Sequence, residues 1–228
     1  IPFDKISHFN GGSSEEQDKQ GGRFSIFAPT LIEEARFQAG GFSALYGGKL
    51  ASFLDLKLKE GNRQTPTVDG RFDITGWELN YDGPLPSAAK TSLVLSARHT
   101  NFTRILELTG QDDLGRPRFN DFIVKTTTEL NQRHKFSLLG IFAPEKFDRE
   151  TKHVFKSDGS ASNDLIDFKE SKSLLGLNWR FLTGAASVIQ TSIYQRRTDR
   201  LVHQGLASPI ADPAQSRHDL QSRFFLTQ

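Results

Sequence analysis

The sequence predicts an antiparallel β-meander of the kind that forms a membrane-spanning barrel. From residue 68 onwards, turn signals separate segments of about ten to fourteen residues, and a tilted strand needs about 9 to 11 residues to cross a bilayer. The connections between these segments are alternately short and long, and the side chains within them alternate between apolar and polar. These observations favour a barrel with brief turns at one end and extended loops at the other.

The connections carry the stronger signal. We predict about seven strands, at residues 69–82, 91–106, 120–130, 135–147, 169–182 and 187–201, with a last one starting near His218. Short turns such as NQRH and TGAA alternate with long polar loops such as DRETKHVFKSDGSASND. A soluble meander has no reason to alternate its connections in this way.

The strand at 169–182 has the clearest side-chain alternation. One face holds Leu175, Leu177, Trp179 and Phe181, and the other holds Lys172, Gly176, Asn178 and Arg180. Trp179 and Phe181 lie beside a short turn, as expected for the aromatic girdle of a membrane barrel. A soluble β-sandwich shows the same alternation with its apolar side inward, so alternation alone leaves both folds open.

Composition is compatible with a barrel but does not require one. Hydrophobic residues make up 36% of the chain, mean hydropathy is -0.47, and no apolar run reaches the roughly 18 residues of a transmembrane helix. Barrel strands escape such hydropathy scans because only alternate residues face lipid. The net charge of +2 is spread along the chain, which gives no support to nucleic-acid binding. Without any methionine, we expect the chain to begin inside a longer product.

The N-terminal third contains a glycine-rich turn followed by a strand. The stretch GGFSALYGGKLASFLDLKLKEG, residues 40–61, holds paired glycines around one large side chain, which predicts a structural turn formed by Gly40, Gly41, Tyr46, Gly47 and Gly48. From residue 51 the pattern alternates with a period of two, which predicts a half-buried strand. Upstream, we predict a loop at 11–22, a short helix at 31–36 and a strand at 35–40.

The stretch at 40–61 resembles the end of the plug domain of TonB-dependent outer-membrane receptors, where an "alYG" turn and a strand precede the first barrel strand. The resemblance implies an all-β transmembrane barrel with part of an α+β plug domain inside it. Residues 1–62 correspond to the C-terminal part of the plug, and residues 63–228 to the first strands of a barrel of about 22. Strands from this chain alone are expected to leave two open edges.

The same resemblance implies active uptake of a scarce ligand, such as a siderophore, cobalamin, glycan or peptide. The chain is then expected in the outer membrane of a Gram-negative bacterium, in contact with its lipid and with no cofactor. A segment preceding Ile1 is expected to contact the TonB–ExbB–ExbD complex. Two alternatives stay open: a plugged barrel with a structural or secretion role, and a soluble all-β binding module.

The resemblance also suggests site residues. Residues 7–20 correspond to a plug apex loop that reaches the extracellular cavity, which makes His8, Phe9 and Asn10 candidate ligand contacts.

Arg98, Asp121 and Lys125 are a second set of candidates, because inward-facing charges on adjacent strands need partners. They either anchor the plug, form a polar conduit, or are ordinary solvated lumen charges.

The sequence supports neither catalysis nor metal binding. The six histidines show no ligand spacing, and no Ser/His/Asp order is assignable to a triad. The acidic pairs Glu15–Glu16 and Asp112–Asp113 lie in predicted loops, where solvated charge is favoured over a calcium site. We therefore predict that the protein is not an enzyme.

Overall fold

The computed structural model describes residues 6–9, 24–40, 52–86, 88, 90–111, 115–149, 164–184, 187–206 and 220–227, most of which lie in strands. The strands are β1 (Ser7–His8), β2 (Phe24–Ser25), β3 (Ile32–Ala39), β4 (Ser52–Leu58), β5 (Thr67–Asp73), β6 (Gly76–Pro84), β7 (Thr91–Asn101), β8 (Arg116–Glu129), β9 (His134–Arg149), β10 (Asp164–Leu182), β11 (Val188–Leu206) and β12 (Leu220–Thr227). A 3-10 turn covers Pro29–Leu31, and helix α1 covers Thr103–Leu108.

Strands β5 to β12 form one antiparallel sheet of eight strands, each hydrogen-bonded to its neighbours in sequence. Strands β5 and β12 are its two edges, and no ladder joins them among the described residues, so the sheet is open. Two open edges are what the sequence predicted for this chain. Strands β1 with β2, and β3 with β4, form separate two-stranded sheets.

The two ends of the large sheet differ in their connections. The connections β6–β7, β8–β9 and β10–β11 lie at one end, which we call the short-turn end. The connections β7–β8, which contains α1, β9–β10 and β11–β12 lie at the opposite, long-loop end. Alternating short and long connections are thus observed from β6 onwards.

The first predicted strand, at 69–82, is wrong, because these residues form a hairpin. Asp73 pairs with Gly76, leaving Ile74 and Thr75 as a two-residue turn at the long-loop end. The Asp73 carboxylate accepts a hydrogen bond of 2.8 Å from the Thr75 amide, and Gly76 has a φ of 151°. This turn is stabilised by an aspartate side chain and a glycine, a local signal that the strand prediction overlooked.

The predicted strand at 91–106 also ends early. Strand β7 stops at Asn101, and the Asn101 side chain accepts a hydrogen bond of 3.0 Å from the amide of Thr103 at the start of α1. The asparagine therefore turns the chain into the helix.

The predicted short helix at 31–36 is wrong as well. Pro29 starts a 3-10 turn that ends at Leu31, and the chain then pairs with β4 as strand β3. The described part of residues 1–62 contains this turn but no α-helix, so the helical component expected of an α+β plug is not seen there. Gly40 has a φ of 73°, as its predicted role in a turn requires. Gly41, Tyr46, Gly47 and Gly48 lie outside the described residues.

The hydrophobic core joins the N-terminal residues to one face of the large sheet, which we call the inner face. The core residues from the N-terminal part are Ile26, Phe27, Ala28, Leu31 and Leu58, and those from the sheet are Val94, Ile123, Ile141, Ala143 and Leu174. The sheet therefore buries its inner face against residues 26–31 and 58, and its outer face remains uncovered.

Candidate functional site

The large sheet has an unusual distribution of polarity. On β10, the outward-facing Leu175 and Leu177 are 56% and 42% exposed, whereas the inward-facing Lys172 is 0% exposed. Neighbouring strands repeat this arrangement, with Glu145 and Asp121 buried on the inner face and Phe142 exposed on the outer face. The inner face thus combines buried charges with the hydrophobic core, while the outer face exposes large apolar side chains, which is unfavourable for a sheet surrounded by water.

The exposed apolar side chains form a continuous band across the outer face. One row of cross-strand neighbours runs from β7 to β11 through Leu93, Thr126, Leu138, Leu177 and Ile193. On β9 the band extends from Phe136 to Phe142, about 20 Å along the strand. The apolar band of a membrane barrel is about 25 Å tall, or about 33 Å along strands tilted by about 40°, so the stretch on β9 covers roughly three fifths of such a band.

An aromatic cluster borders this band at the short-turn end. The rings of His134 and Phe181 stack with centroids 4.4 Å apart, and Trp179 stacks on both of them and on Phe136. The Trp179 Nε1–H donates to His134 Nδ1 at 3.2 Å. Trp179 and Phe181 thus occupy the position predicted for an aromatic girdle.

A buried group of charges lies on the inner face, nearer the long-loop end; we call His8, Arg98, Asp121, Glu145 and Lys172 the His8 cluster. His8 Nδ1 lies 2.6 Å from Glu145 Oε2, and His8 Nε2 lies 2.7 Å from Asp121 Oδ1. Each carboxylate also holds a cation, because Arg98 Nε donates to Asp121 at 2.8 Å and Lys172 Nζ donates to Glu145 at 3.1 Å. The cluster joins β1 to four strands of the sheet.

The two nitrogens of the His8 ring face different carboxylates. Neutral imidazole has one N–H donor, and an ionised carboxylate only accepts. Both ring nitrogens lie at hydrogen-bonding distance from carboxylate oxygens, so His8 donates to an ionised Glu145 and an ionised Asp121 together only when each nitrogen carries a proton. Its ring also stacks on Phe119 at a centroid distance of 4.1 Å. His8 therefore lies at the centre of a buried network of ionisable side chains.

Backbone groups of the N-terminal strands complete the network. Lys172 Nζ donates to the carbonyl of Ser7 at 2.7 Å, and Arg98 Nη2 donates to the carbonyl of Ser25 at 2.5 Å. The amide of Phe9 donates to Glu145 at 3.1 Å. Charged side chains of the sheet thus provide hydrogen-bond partners for backbone groups at β1 and β2.

The candidate ligand contacts differ in where they lie. His8 is 0% exposed, so its imidazole faces the interior of the His8 cluster and not an open surface. Phe9 is half-buried and has a φ of 58°, an uncommon conformation for a non-glycine residue, fixed by its hydrogen bonds to Glu145. Its ring meets Phe119 and Phe147 edge-on. Asn10 lies outside the described residues.

The candidate inner-face charges all contact the N-terminal residues. Arg98 and Asp121 form an ion pair within the His8 cluster, and Lys125 Nζ donates to the carbonyl of Leu58 at 2.6 Å. Lys125 is separate from the cluster and lies nearer the short-turn end.

Sequence reasoning did not select Glu145, Lys172 or Glu170, although all three occupy inward positions. Lys172 contacts both glutamates, at 3.1 and 3.3 Å. The same rule that selected Arg98, applied to every inward charge, would have found them.

A second contact region lies at the short-turn end, and we call Leu58, Glu60, Ser92, Lys125 and Lys135 the Glu60 anchor. Ser92 Oγ donates to the Glu60 carbonyl at 2.6 Å, and Lys135 Nζ forms an ion pair with the Glu60 carboxylate. Burial raises the pKa of Glu60, but the hydrogen bond from Lys135 and the nearby lysines outweigh it, so this pKa lies below its ordinary value.

A cleft of about 520 Å³ opens beside the Glu60 anchor, lined by Glu33, Lys57, Lys59, Glu60, Gly61, Asp82, Lys135 and Arg180. Most of its charges are already paired, Lys57 with Glu33 at 2.6 Å and Lys135 with Glu60. The mixed charge of this cleft does not define a ligand class.

Neither a protein-family model, nor a curated protein, nor a solved structure matches the chain. Among the described residues, no helix is long and apolar enough to cross a membrane. Within that same part of the chain, no group of three or more His, Cys, Asp or Glu side chains could hold a metal ion. The likeness to TonB-dependent receptors therefore stays a prediction from the sequence.

Proposed function

We propose that this chain is part of a plugged outer-membrane barrel that takes up a scarce ligand with energy supplied through TonB. The apolar band exposed on the outer face, together with the charges buried on the inner face, is the observation that carries the proposal. An outer face of exposed leucine and phenylalanine is stable against acyl chains and unfavourable in water, whereas a charged inner face suits a polar lumen. In this proposal the long-loop end faces outside and the short-turn end faces the periplasm.

The N-terminal residues support the plug part of the proposal. They cover the inner face through the His8 cluster at one end and the Glu60 anchor at the other. A wide barrel without such a filling would be an open pore. In this proposal residues 1–62 are the C-terminal part of the plug, held to the barrel strands by polar contacts at both ends and by the hydrophobic core between them.

Membrane placement is tested by two arginine substitutions on β10. Leu177→Arg, in the middle of the apolar band, is expected to destabilise the full-length protein by about 2 to 4 kcal/mol in lipid. Asn178→Arg, one residue along and facing inward, is expected to cost much less. The measurement is reversible unfolding in lipid vesicles, with wild type alongside. Equal penalties, or a larger one for Asn178→Arg, would indicate a soluble core and refute the proposal.

Uptake is tested separately from membrane placement. The full-length protein in detergent is expected to bind the isolated periplasmic domain of TonB, since the energy for transport must reach the plug through a physical contact. A protein that enters membranes but does not bind this domain would instead be a barrel with a structural or secretion role.

A further inference from the structure

The His8 cluster continues on the inner face into two more charged side chains, Glu170 and Arg200. Lys172 Nζ lies 3.3 Å from Glu170 Oε1, and Arg200 Nε donates to Glu170 Oε2. Three basic side chains of the sheet therefore face three carboxylates: Arg98 on β7, Lys172 on β10 and Arg200 on β11 against Asp121 on β8, Glu145 on β9 and Glu170 on β10. These six charges balance one another without any charge on His8.

Hydrogen bonding, in contrast, requires an additional proton at His8. A ring nitrogen without a proton would place its lone pair 2.6 Å from Glu145 Oε2 or 2.7 Å from Asp121 Oδ1, and an ionised carboxylate only accepts. The observed position of His8 therefore holds one proton more than a neutral ring and two ionised carboxylates supply. Because this proton adds a positive charge to a buried network that is already balanced, burial limits how tightly the proton is held.

Loss of this proton would break a contact that water does not replace. His8, Glu145 and Asp121 are all buried, and the ring of Phe119 covers one face of the imidazole. A deprotonated nitrogen must then move away from its carboxylate, because the alternative is an unfavourable contact between two acceptors. One of the two bonds between β1 and the sheet therefore depends on the proton.

The segment that carries His8 is short. Strand β1 pairs with β2 over two residues, the Ile6 carbonyl accepts a hydrogen bond of 3.0 Å from the Ile26 amide, and the Phe9 amide donates to Glu145. We infer that residues 6–9 are attached to the sheet in a proton-dependent way: the His8 cluster binds one proton while the segment is attached, and loss of this proton loosens the segment. The inference does not depend on membrane placement or uptake, and in the proposed receptor it would make the attachment of the plug weaker as the pH rises.

The test measures hydrogen exchange of the full-length protein in detergent micelles from about pH 6 to about pH 8, where a histidine ordinarily changes its charge. The readout is the protection factor of the Phe9 amide, in which the exchange rate is corrected for the intrinsic effect of pH. The amide of Leu174, a core residue of β10, is the internal reference. The variant His8→Gln removes the titrating ring, and the matched control His99→Gln removes a histidine that lies beside Trp77 on the outer face.

In wild type, we expect the protection factor of the Phe9 amide to fall about tenfold between about pH 7 and about pH 8, because opening of the segment releases one proton. In His8→Gln the protection factor should already be low at about pH 6 and should change less than about twofold over the whole range, since glutamine does not titrate. His99→Gln should behave like wild type. The protection factor of Leu174 should stay constant in all three proteins, because the sheet itself remains folded.

Three outcomes would overturn the inference. A constant protection factor for Phe9 in wild type would mean that attachment of the segment is not linked to a proton. The same pH dependence in His8→Gln as in wild type would assign the proton to another group. A parallel loss of protection at Phe9 and Leu174 would mean that pH acts on the stability of the whole sheet. None of these outcomes bears on the arginine substitutions on β10, which test membrane placement separately.

Discussion

The His8 cluster and the Glu60 anchor hold the N-terminal residues to the same face of the sheet in physically different ways. His8, Glu145 and Lys172 are fully buried, so each charge depends on its partners for all of its solvation. In the Glu60 anchor, Glu60 and Lys135 keep 39% and 20% of their side chains exposed, so water replaces a lost partner. Removing one partner of an ion pair is therefore expected to cost more stability at the long-loop end than at the short-turn end.

The largest effect is expected from Glu145→Gln. The substitution leaves His8 and Lys172 buried with one carboxylate fewer, and breaking a buried ion network in this way costs about 3 to 5 kcal/mol. Denaturant unfolding of the full-length protein in micelles measures the loss. A cost below about 1 kcal/mol would mean that water reaches the cluster and would remove the contrast between the two regions.

His8→Leu is expected to cost less than Glu145→Gln. Asp121 keeps Arg98 and Glu145 keeps Lys172, so each carboxylate loses one hydrogen bond but remains paired, at a total of about 2 to 3 kcal/mol. Hydrogen exchange should show the loss first at the amide of Phe9, which Glu145 also binds. If Phe9 stays protected and β3 exchanges instead, His8 is not what holds this segment.

Two glycines provide a matched pair for the close approach at the Glu60 anchor. Gly61 and Gly40 have φ values of 90° and 73°, so alanine is strained by a similar amount at both. At Gly61 a Cβ would also lie 2.9 Å from the Ser92 Cβ, whereas at Gly40 it would meet no atom of the described residues within 4 Å. Gly61→Ala should therefore cost about 1 kcal/mol more than Gly40→Ala in the same unfolding measurement. Equal costs would show that residue 61 can move away from Ser92 of β7 without a loss of folding stability.

The smallest effect is expected from Glu60→Gln, below about 1 kcal/mol because the ion pair with Lys135 is partly exposed. Its pH dependence has a defined sign. Because the folded pKa of Glu60 is lowered, its contribution is complete above the unfolded pKa of about 4.3 and is lost as the pH falls through the folded value. Wild type and Glu60→Gln should therefore converge in stability at acidic pH. If the difference in stability between wild type and Glu60→Gln grows as the pH falls, the pKa of Glu60 is not lowered in the folded protein.

Strand faces were predictable from the sequence because a period of two needs only local information. The assignment of Leu177 and Asn178 to opposite faces follows from alternation, and the structure places them in that way. The turn at Ile74 and Thr75 was missed because only two residues separate its strands, although Asp73 and Gly76 signal it locally.

The His8 cluster was not predictable as a unit from the sequence. His8 lies 113 residues from Asp121 and 137 from Glu145, and no local pattern joins them. The rule that inward-facing charges need partners selected Arg98, Asp121 and Lys125 from the sequence. The contact of Asp121 with His8 could be found only from the three-dimensional path of residues 6–9.

The two tryptophans of the chain lie on the same outer face at opposite ends of the apolar band. Trp77 stands near the long-loop end beside His99, and Trp179 stands near the short-turn end against His134. The rows of the sheet that contain them are about eight residues apart, or about 27 Å along the strands. In the proposed membrane placement, the fluorescence of each indole would therefore report the polarity at a different boundary of the bilayer.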